Sequence, residues 1–394
     1  MKTKLFDTDD YVLEYSLKSN QEELKIRGIL LKHNIEEIIL PESIDKMPVT
    51  GIKLRKIMNK KNALYTCGLL VLPSTLKALD VRAFECINSF NEVYIPKSIT
   101  AIPAGCFNES SFEKIIFEDE SVVTEIAAYA FAYSNIKNFH WPSGCNYISS
   151  YCFVCSMLEE ITGTEHITAI GYEAFIFSKL KKFDWPTKCR CIPYHCFYGS
   201  TLSALSGIEN VIEIGEGAFA ETKKLTGAFS WPKKCTVIHR ETFLGSSISS
   251  ISNIENVTLI EPRAFAETKN LNKTFNWPQR CTKIYEGTFE SSAITGISGI
   301  EEVAEIHRLA FANSKLKSIA LGENLNYLSL FALINVIYEG KFVNLEDANK
   351  LSFDIPVVLT GCTELIIDTE GNSKALELFK ENVRLPFDLT ILVK

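Results

Sequence analysis

The sequence predicts a repeat solenoid: mainly β, with a parallel sheet along its concave inner face and short turns or 3-10 elements along its convex face. Three observations carry this. Twelve phenylalanines, Phe84, Phe107, Phe131, Phe153, Phe175, Phe197, Phe219, Phe243, Phe265, Phe289, Phe311 and Phe331, stand 20 to 24 residues apart. A fixed period of that length on one apolar residue type marks stacked units that bury their hydrophobic faces against each other. In its fullest form the unit also carries a short apolar run closed by proline, as in LLVLPSTLKALDVRAF (69–84) and EVYIPKSITAIPAGCF (92–107). Finally, Trp141, Trp185, Trp231 and Trp277 recur every 44 to 46 residues, so a pair of unlike repeats has been copied as a block.

Each slot of the unit has a physical reading. Alternation along a strand sends one set of side chains inward and the other outward. Proline ends the strand because it cannot donate to the ladder. The phenylalanine fills the opposite side as an aromatic spine. In LKKFDWPTKCRCIPYHCF (180–197), Leu180, Phe183, Trp185, Cys189, Ile192 and Phe197 hold the inward slots. Between the tryptophan units lie TGTEHI, SGIENV, SNIENV and SGIEEV, expected to form a shorter turn bearing Gly or Asn.

The ends depart from the period. YVLEYSL (11–17) and LKIRGIL (24–30) flank the polar KSNQEE, which predicts a hairpin sealing the first repeat. Past Tyr338 the spacing fails; strands are expected at 357–359, 365–368 and 389–393, with a helix from Ser373 to about Asn382 that Ser373 caps. The sequence thus divides into an N-terminal cap (1–34), a repeat array (35–334) of about 12–13 units, and a small α/β C-terminal cap (335–394). A solenoid of this length needs no division into separate cores, because its core grows in one dimension.

The strand-Pro-x-x-Leu/Ile-x-x-Ile-x-x-x-Ala-Phe unit and the phrase IILPESIDKMPVTGI (38–52) resemble the BspA-like subfamily of leucine-rich repeat proteins over residues 25–335. The resemblance implies a right-handed leucine-rich repeat solenoid and a role in adhesion or protein recognition. The Trp-Pro variant departs from the family pattern.

Composition narrows the function classes. The net charge is -7 with 23% charged residues and no basic stripe, which argues against nucleic acid. The apolar 46% comes in short runs, none as long as the roughly 18 to 20 residues of a membrane span. Acids stand where a secretory leader would have its apolar core, so the sequence predicts a cytoplasmic protein, the alternative being the cell surface or export by a signal-independent route. Cys145, Cys189, Cys235 and Cys281 each follow a tryptophan by four residues and lie two repeats apart. Two strands of a ladder separate equivalent atoms by about 10 Å, whereas disulfide Cα atoms lie within about 7 Å. These cysteines therefore read as buried, reduced apolar residues.

Positive signs of catalysis are lacking. Cys189, Cys191, His195 and Cys196 have the residue types of a zinc site, yet two of them occupy recurring apolar slots. Cys152 and Cys155 share only the spacing of a redox dithiol, without its βαβ setting. The six histidines make no triad pattern, and no Walker loop or dinucleotide fingerprint occurs. No enzyme activity, cofactor or metal is expected.

Copies of one unit should look alike unless something acts on them, and the early rungs do not look like the late ones. The outward slots carry Asn138, His140, Glu160, Lys182 and Asp184, while later copies carry serine, alanine and glycine. Two residues past the spine stand Tyr133 and Phe177, replaced by Glu221 and Glu267. These seven residues are the expected binding site for a protein partner, since aromatic and charged anchors dominate interfaces. The sequence leaves open an intracellular sensor, effector or scaffold, a surface adhesin for host protein or glycan, and, least favoured, an enzyme seated in the C-terminal cap.

Overall fold

The computed structural model describes residues 3–17, 22–54, 65–316, 319–321, 324–332, 337–338, 341–342, 357–359, 364–368, 383–384 and 390–393. The chain forms two compact units, Met1–Cys189 with Ser200–Gly207, and Arg190–Gly199 with Ile208–Lys394. Each is a stack of three-sided rungs. In one rung of the first unit the sides are the strand Asn138–His140, the short strand Tyr147–Ile148 and the turn that carries Phe153. Both strands pair in parallel with their equivalents in the next rung, Asn138 opposite Glu160 and Tyr147 opposite Ala169. The turns form a third backbone ladder, with Phe131 N–H donating to Cys152 O at 3.0 Å and Phe153 N–H to Ala174 O at 2.9 Å. Helix is confined, among the described residues, to the 3-10 turns Glu120–Val122 and Leu330–Ala332.

The spine phenylalanines lie in the core of each stack, all of them at most 3% exposed. Their rings stack at 5.1–5.8 Å from Phe84 to Phe175 and at 5.6–5.9 Å from Phe197 to Phe311. That spacing lies within the range of offset aromatic stacking. Making so tight a corner around the ring puts residues two before and two after the phenylalanine in the left-handed region. Tyr129 has φ 59° and Tyr133 φ 53°. Non-glycine residues are uncommon there, and the recurrence in rung after rung is offset by the N–H bonds that the turn frees, such as Tyr133 to Val154 O at 2.7 Å.

The Trp-Pro phrase is a closed hydrogen-bonded turn. Each tryptophan is buried, and its indole N–H donates to the carbonyl of the cysteine four residues on: Trp141 to Cys145, Trp185 to Cys189, Trp231 to Cys235 and Trp277 to Cys281, at 2.7–2.9 Å. The cysteine sulfur in turn lies 3.2–3.5 Å from the carbonyl of the preceding rung. The slot needs a small side chain that is apolar yet holds a weak donor, and cysteine is both. Of the eleven described cysteines, eight are buried, Cys86 and Cys155 are half-buried and Cys191 is exposed. Burial pushes the thiols of Cys145, Cys235 and Cys281 up to about 12.

One expectation is corrected. The Gly- or Asn-bearing turn is not shorter than the Trp-Pro turn, because Gly163 occupies the place of Trp141 and Ile167 that of Cys145, and the register holds through both ladders. What changes is side-chain volume and backbone approach. A Cβ on Gly163 would come within 2.9 Å of Trp141 O and 2.6 Å of the His140 ring, and one on Gly207 within 2.6 Å of Trp185 O. Gly163 also sits at φ +72° and Gly207 at φ +76°. Glycine is required here on both counts.

The ends are built by pairing. Tyr11–Leu17 and Leu24–Leu31 form an antiparallel pair, with Lys4–Asp7 added outside Tyr11–Leu17. Leu24–Leu31 then pairs in parallel with Met47–Ile52, which starts the short-strand ladder. At the other end Val357–Leu359 pairs in parallel with Ile319–Leu321, and Val383–Arg384 with Val357–Leu359. Glu364–Asp368 joins Tyr327–Ser329, and Thr390–Val393 joins Glu364–Asp368. The described strands from Val357 on therefore extend both ladders, at wider sequence spacing than the repeats, while Ile337–Tyr338 and Lys341–Phe342 pair antiparallel with each other. The helix expected over 373–382 lies outside the described residues.

Candidate functional site

In the first unit the ladder of three-residue strands is laid down in pairs. Asn138–His140 pairs with Glu160–Thr162, and Lys182–Asp184 with Ala204–Ser206, but no ladder joins Glu160–Thr162 to Lys182–Asp184. The tryptophan explains the grouping. Its backbone N–H continues the ladder to the next rung, Trp141 to Thr162 O and Trp185 to Ser206 O, each at 2.8 Å. The left-handed Gly163, in the equivalent place, turns the chain aside. The doubled period of the sequence is thus a doubled grouping in the sheet.

A cleft of about 540 Å³ opens where the ladder is missing, lined by Glu160, Thr162, Lys182 and Asp184 over the nearly buried Trp185. Strand alternation places its polar groups: Ile161 and Phe183 are buried while the residues on either side of each are exposed. Around the cleft most charges already have partners. His140 Nε2 lies 3.3 Å from Glu120, and its Nδ1 2.9 Å from the Thr162 hydroxyl. Lys137 pairs with Glu113 at 3.0 Å, and Lys181 with Glu159. Asp184 accepts a hydrogen bond from Ser206. Among the described residues, Lys182 and Glu160 carry no ion pair. They are an opposite pair of charges held on neighbouring strands and left to the surroundings.

The structure gathers five of the seven expected residues, Asn138, His140, Glu160, Lys182 and Asp184, on this one run of strands. Tyr133 and Phe177 stand on the turn side of the rungs, 54% and 47% exposed. Tyr133 lines another cavity, of about 240 Å³, with Tyr129, Arg82, Glu85, Asn108 and Glu109. The adjacent Cys155 thiol raises the Tyr133 hydroxyl above the usual phenol range, with burial, Glu109 and Tyr129 acting in the same sense. Sequence reasoning missed Tyr129, Tyr151 and Tyr172 of this face. Tyr129 and Tyr151 stack face to face at 4.7 Å, and Tyr172 meets Tyr151 edge-on at 5.3 Å. Aligning the copies two and three residues before the phenylalanine would have revealed them. Among the described residues no group of His, Cys, Asp and Glu is arranged to hold a metal ion, and no helix is long and apolar enough to cross a membrane.

Rungs of this length, strand on strand with an apolar spine, define a leucine-rich repeat solenoid. A family model of the BspA type leucine-rich repeat region matches residues 77–205, 124–249 and 212–337, and the chain belongs to that family. No curated protein sequence matches it. Among solved structures it is similar to a leucine-rich repeat protein from Bacteroides ovatus, with a TM-score of 0.67 and 16% identity over 99% of each chain. It is also similar to a leucine-rich cell surface protein from Faecalibacterium prausnitzii, with a TM-score of 0.48 and 17% identity over 96% of this chain and 98% of that one. A third likeness is to the pneumococcal vaccine antigen PcpA, at TM-score 0.47 and 14% identity over 99% of this chain and 98% of that one.

Proposed function

We propose that the chain is a non-enzymatic protein-recognition module whose docking face is the run of strands from Asn138 to Asp184, centred on the cleft between Glu160–Thr162 and Lys182–Asp184. The observation that carries this is the unpaired Lys182 and Glu160 at the cleft, in a neighbourhood where His140, Lys137 and Lys181 each have an acidic partner. A partner segment presenting an acid to Lys182 and a base to Glu160 gains both contacts without breaking an existing pair. Such complementarity sets register and suppresses wrong partners. The repeat family supports protein binding as the general role. The half-exposed and exposed thiols Cys86, Cys155 and Cys191 suit a reducing compartment, so the reading is of an intracellular sensor, effector or scaffold.

The test is capture from native extract with the parent chain and with Glu160→Lys combined with Lys182→Glu. The double exchange preserves net charge and touches only exposed side chains. Loss of a specific captured protein, at unchanged melting temperature, is the expected result. Equal capture by both proteins removes the cleft from the interface. Fractionation of the native organism tests the compartment; recovery at the cell surface would favour the adhesin role.

A further inference from the structure

We propose a second binding site on the turn face of the first unit, a cage for an arginine side chain carried by a basic segment of a partner protein. The cavity of about 240 Å³ is walled by Tyr129 and Tyr133, 44% and 54% exposed, and floored by Glu85, Asn108 and Glu109. Its aromatic wall is braced, since Tyr129 stacks on Tyr151 with the two rings 5° from parallel. Ordered, exposed rings beside a carboxylate are the components of cation recognition: the ring face attracts the cation and the carboxylate neutralises it.

Charge accounting inside the cavity points to a missing cation. Arg82 is committed to Glu85 at 3.5 Å, and Asn108 donates to both Glu85, at 3.3 Å, and Glu109, at 3.5 Å. Cys86 adds one weak contact to Glu109 at 3.5 Å. Among the described residues no cation pairs with Glu109. The turn face of the second unit has met the same requirement internally. There Arg263, two residues before its phenylalanine, reaches Glu241 at 3.4 Å, Glu267 at 3.7 Å and Glu290. Arg263 takes the slot that Tyr129 holds in the first unit, and Glu267 the slot that Tyr133 holds. In the first unit the guanidinium of that slot is Arg82, two rungs before Tyr129; its ion pair goes to Glu85, which leaves the cavity with two aromatic walls and an unneutralised Glu109. An arginine suits this place better than a lysine, because its planar group stacks on tyrosine and offers a fork of donors to Glu109. The net charge of -7 favours a basic partner in the same direction.

The site is independent of the cleft at Lys182, and the experiment keeps the two apart. A fluorescein-labelled peptide with three arginines spaced by glycine and serine is titrated in 150 mM salt and followed by anisotropy, with a lysine peptide and a neutral peptide alongside. The parent protein is expected to bind the arginine peptide most tightly. Tyr133→Ala with Glu109→Gln should weaken that binding roughly tenfold or more, as loss of a cation–π wall and its counter-charge does. Glu301→Gln, which removes an exposed acid elsewhere, and Glu160→Lys with Lys182→Glu should leave it unchanged. Thermal melts of every variant confirm folding, and Tyr133→Phe, which keeps the ring, should retain binding. The proposal is overturned if the arginine peptide fails to saturate, if all the acidic variants weaken it alike, or if the neutral peptide or an oligosaccharide array binds this face in its place.

Discussion

Truncating Phe219 to alanine tests the architecture most directly. Its ring is completely buried and meets Phe197 at 5.9 Å, Phe243 at 5.7 Å and Phe229 at 5.1 Å, all in the second unit. Removing a packed phenylalanine costs about 3 to 5 kcal/mol. Aromatic pairs are worth about 0.5–1.5 kcal/mol each beyond area burial, and three are lost at once. The expected cost therefore lies near the top of that range, about 4 to 5 kcal/mol, a large share of the roughly 5–15 kcal/mol that holds a domain folded. Rungs contact chiefly their neighbours, so the loss should appear first as local opening. Two of the four tryptophans, Trp231 and Trp277, stand in the second unit, and Trp141 and Trp185 in the first. Urea melts of variants retaining a single tryptophan can then report each unit separately. Phe219→Ala should bring the Trp231 signal to a lower midpoint and strip hydrogen-exchange protection from the adjacent Phe197 and Thr242 amides. An unchanged midpoint and unchanged exchange would mean that the ring does not support the stack, and the inward spine would be wrong.

Trp185→Phe removes three buried ring atoms and leaves the Cys189 carbonyl without its donor at 2.9 Å; the lost bond alone should cost about 1–3 kcal/mol in a chemical melt, with the cavity adding to it; Tyr133→Phe, at an exposed ring, should cost far less. The buried thiols give a pH signature. Cys145, Cys235 and Cys281 are raised from 9.0 to about 12, so between these values the unfolded chain releases protons that the folded chain keeps. Their stabilising contribution is full below pH 9 and is lost as pH rises toward 12. The urea midpoint should fall across pH 8 to 10.5, and Cys281→Ala should make that fall shallower; a flat profile would place these sulfurs in water. Iodoacetamide under native conditions should label Cys191 long before these three, as read by peptide mass mapping.

Much of the fold was legible because each rung repeats the same demand. A buried ring and a strand with one inward residue must recur wherever one rung stacks on another, and the twelve phenylalanines report it directly. The doubled tryptophan period was equally visible, but its meaning was not. Counting from Trp141 to Ile148 and from Gly163 to Ile170 gives equal lengths in the sequence itself, yet only the geometry shows why a residue that tolerates the left-handed region, Gly163, Gly207, Asn253 or Gly299, alternates with tryptophan: the slot has positive φ throughout, and at the glycines the Trp carbonyl of the neighbouring rung also leaves no room for a Cβ. The tyrosine face was missed for a related reason. Periodicity finds what the copies share, and Tyr129, Tyr151 and Tyr172 occupy slots where the copies differ, giving way to Glu241 and Arg263 further along.

That difference bears on where function resides in a repeat protein. Positions shared by all rungs are held by stacking, so a partner cannot alter them without cost to the fold. Outward positions are under no such constraint, and there the two units have diverged in opposite directions. The second has closed its turn face with the Arg263 network and filled the outward slots of its strands with small residues such as Ser230, Ser252 and Ser298. The first keeps Lys182, Glu160 and Glu109 without counter-ions among the described residues and leaves aromatic rings in water. Exposed rings and unpaired charges raise the tendency to associate nonspecifically. The clustering of Tyr129, Tyr133 and Glu109 around one cavity, with a self-satisfied alternative in the Arg263 network of the other unit, is the pattern expected of a surface that spends part of its time covered.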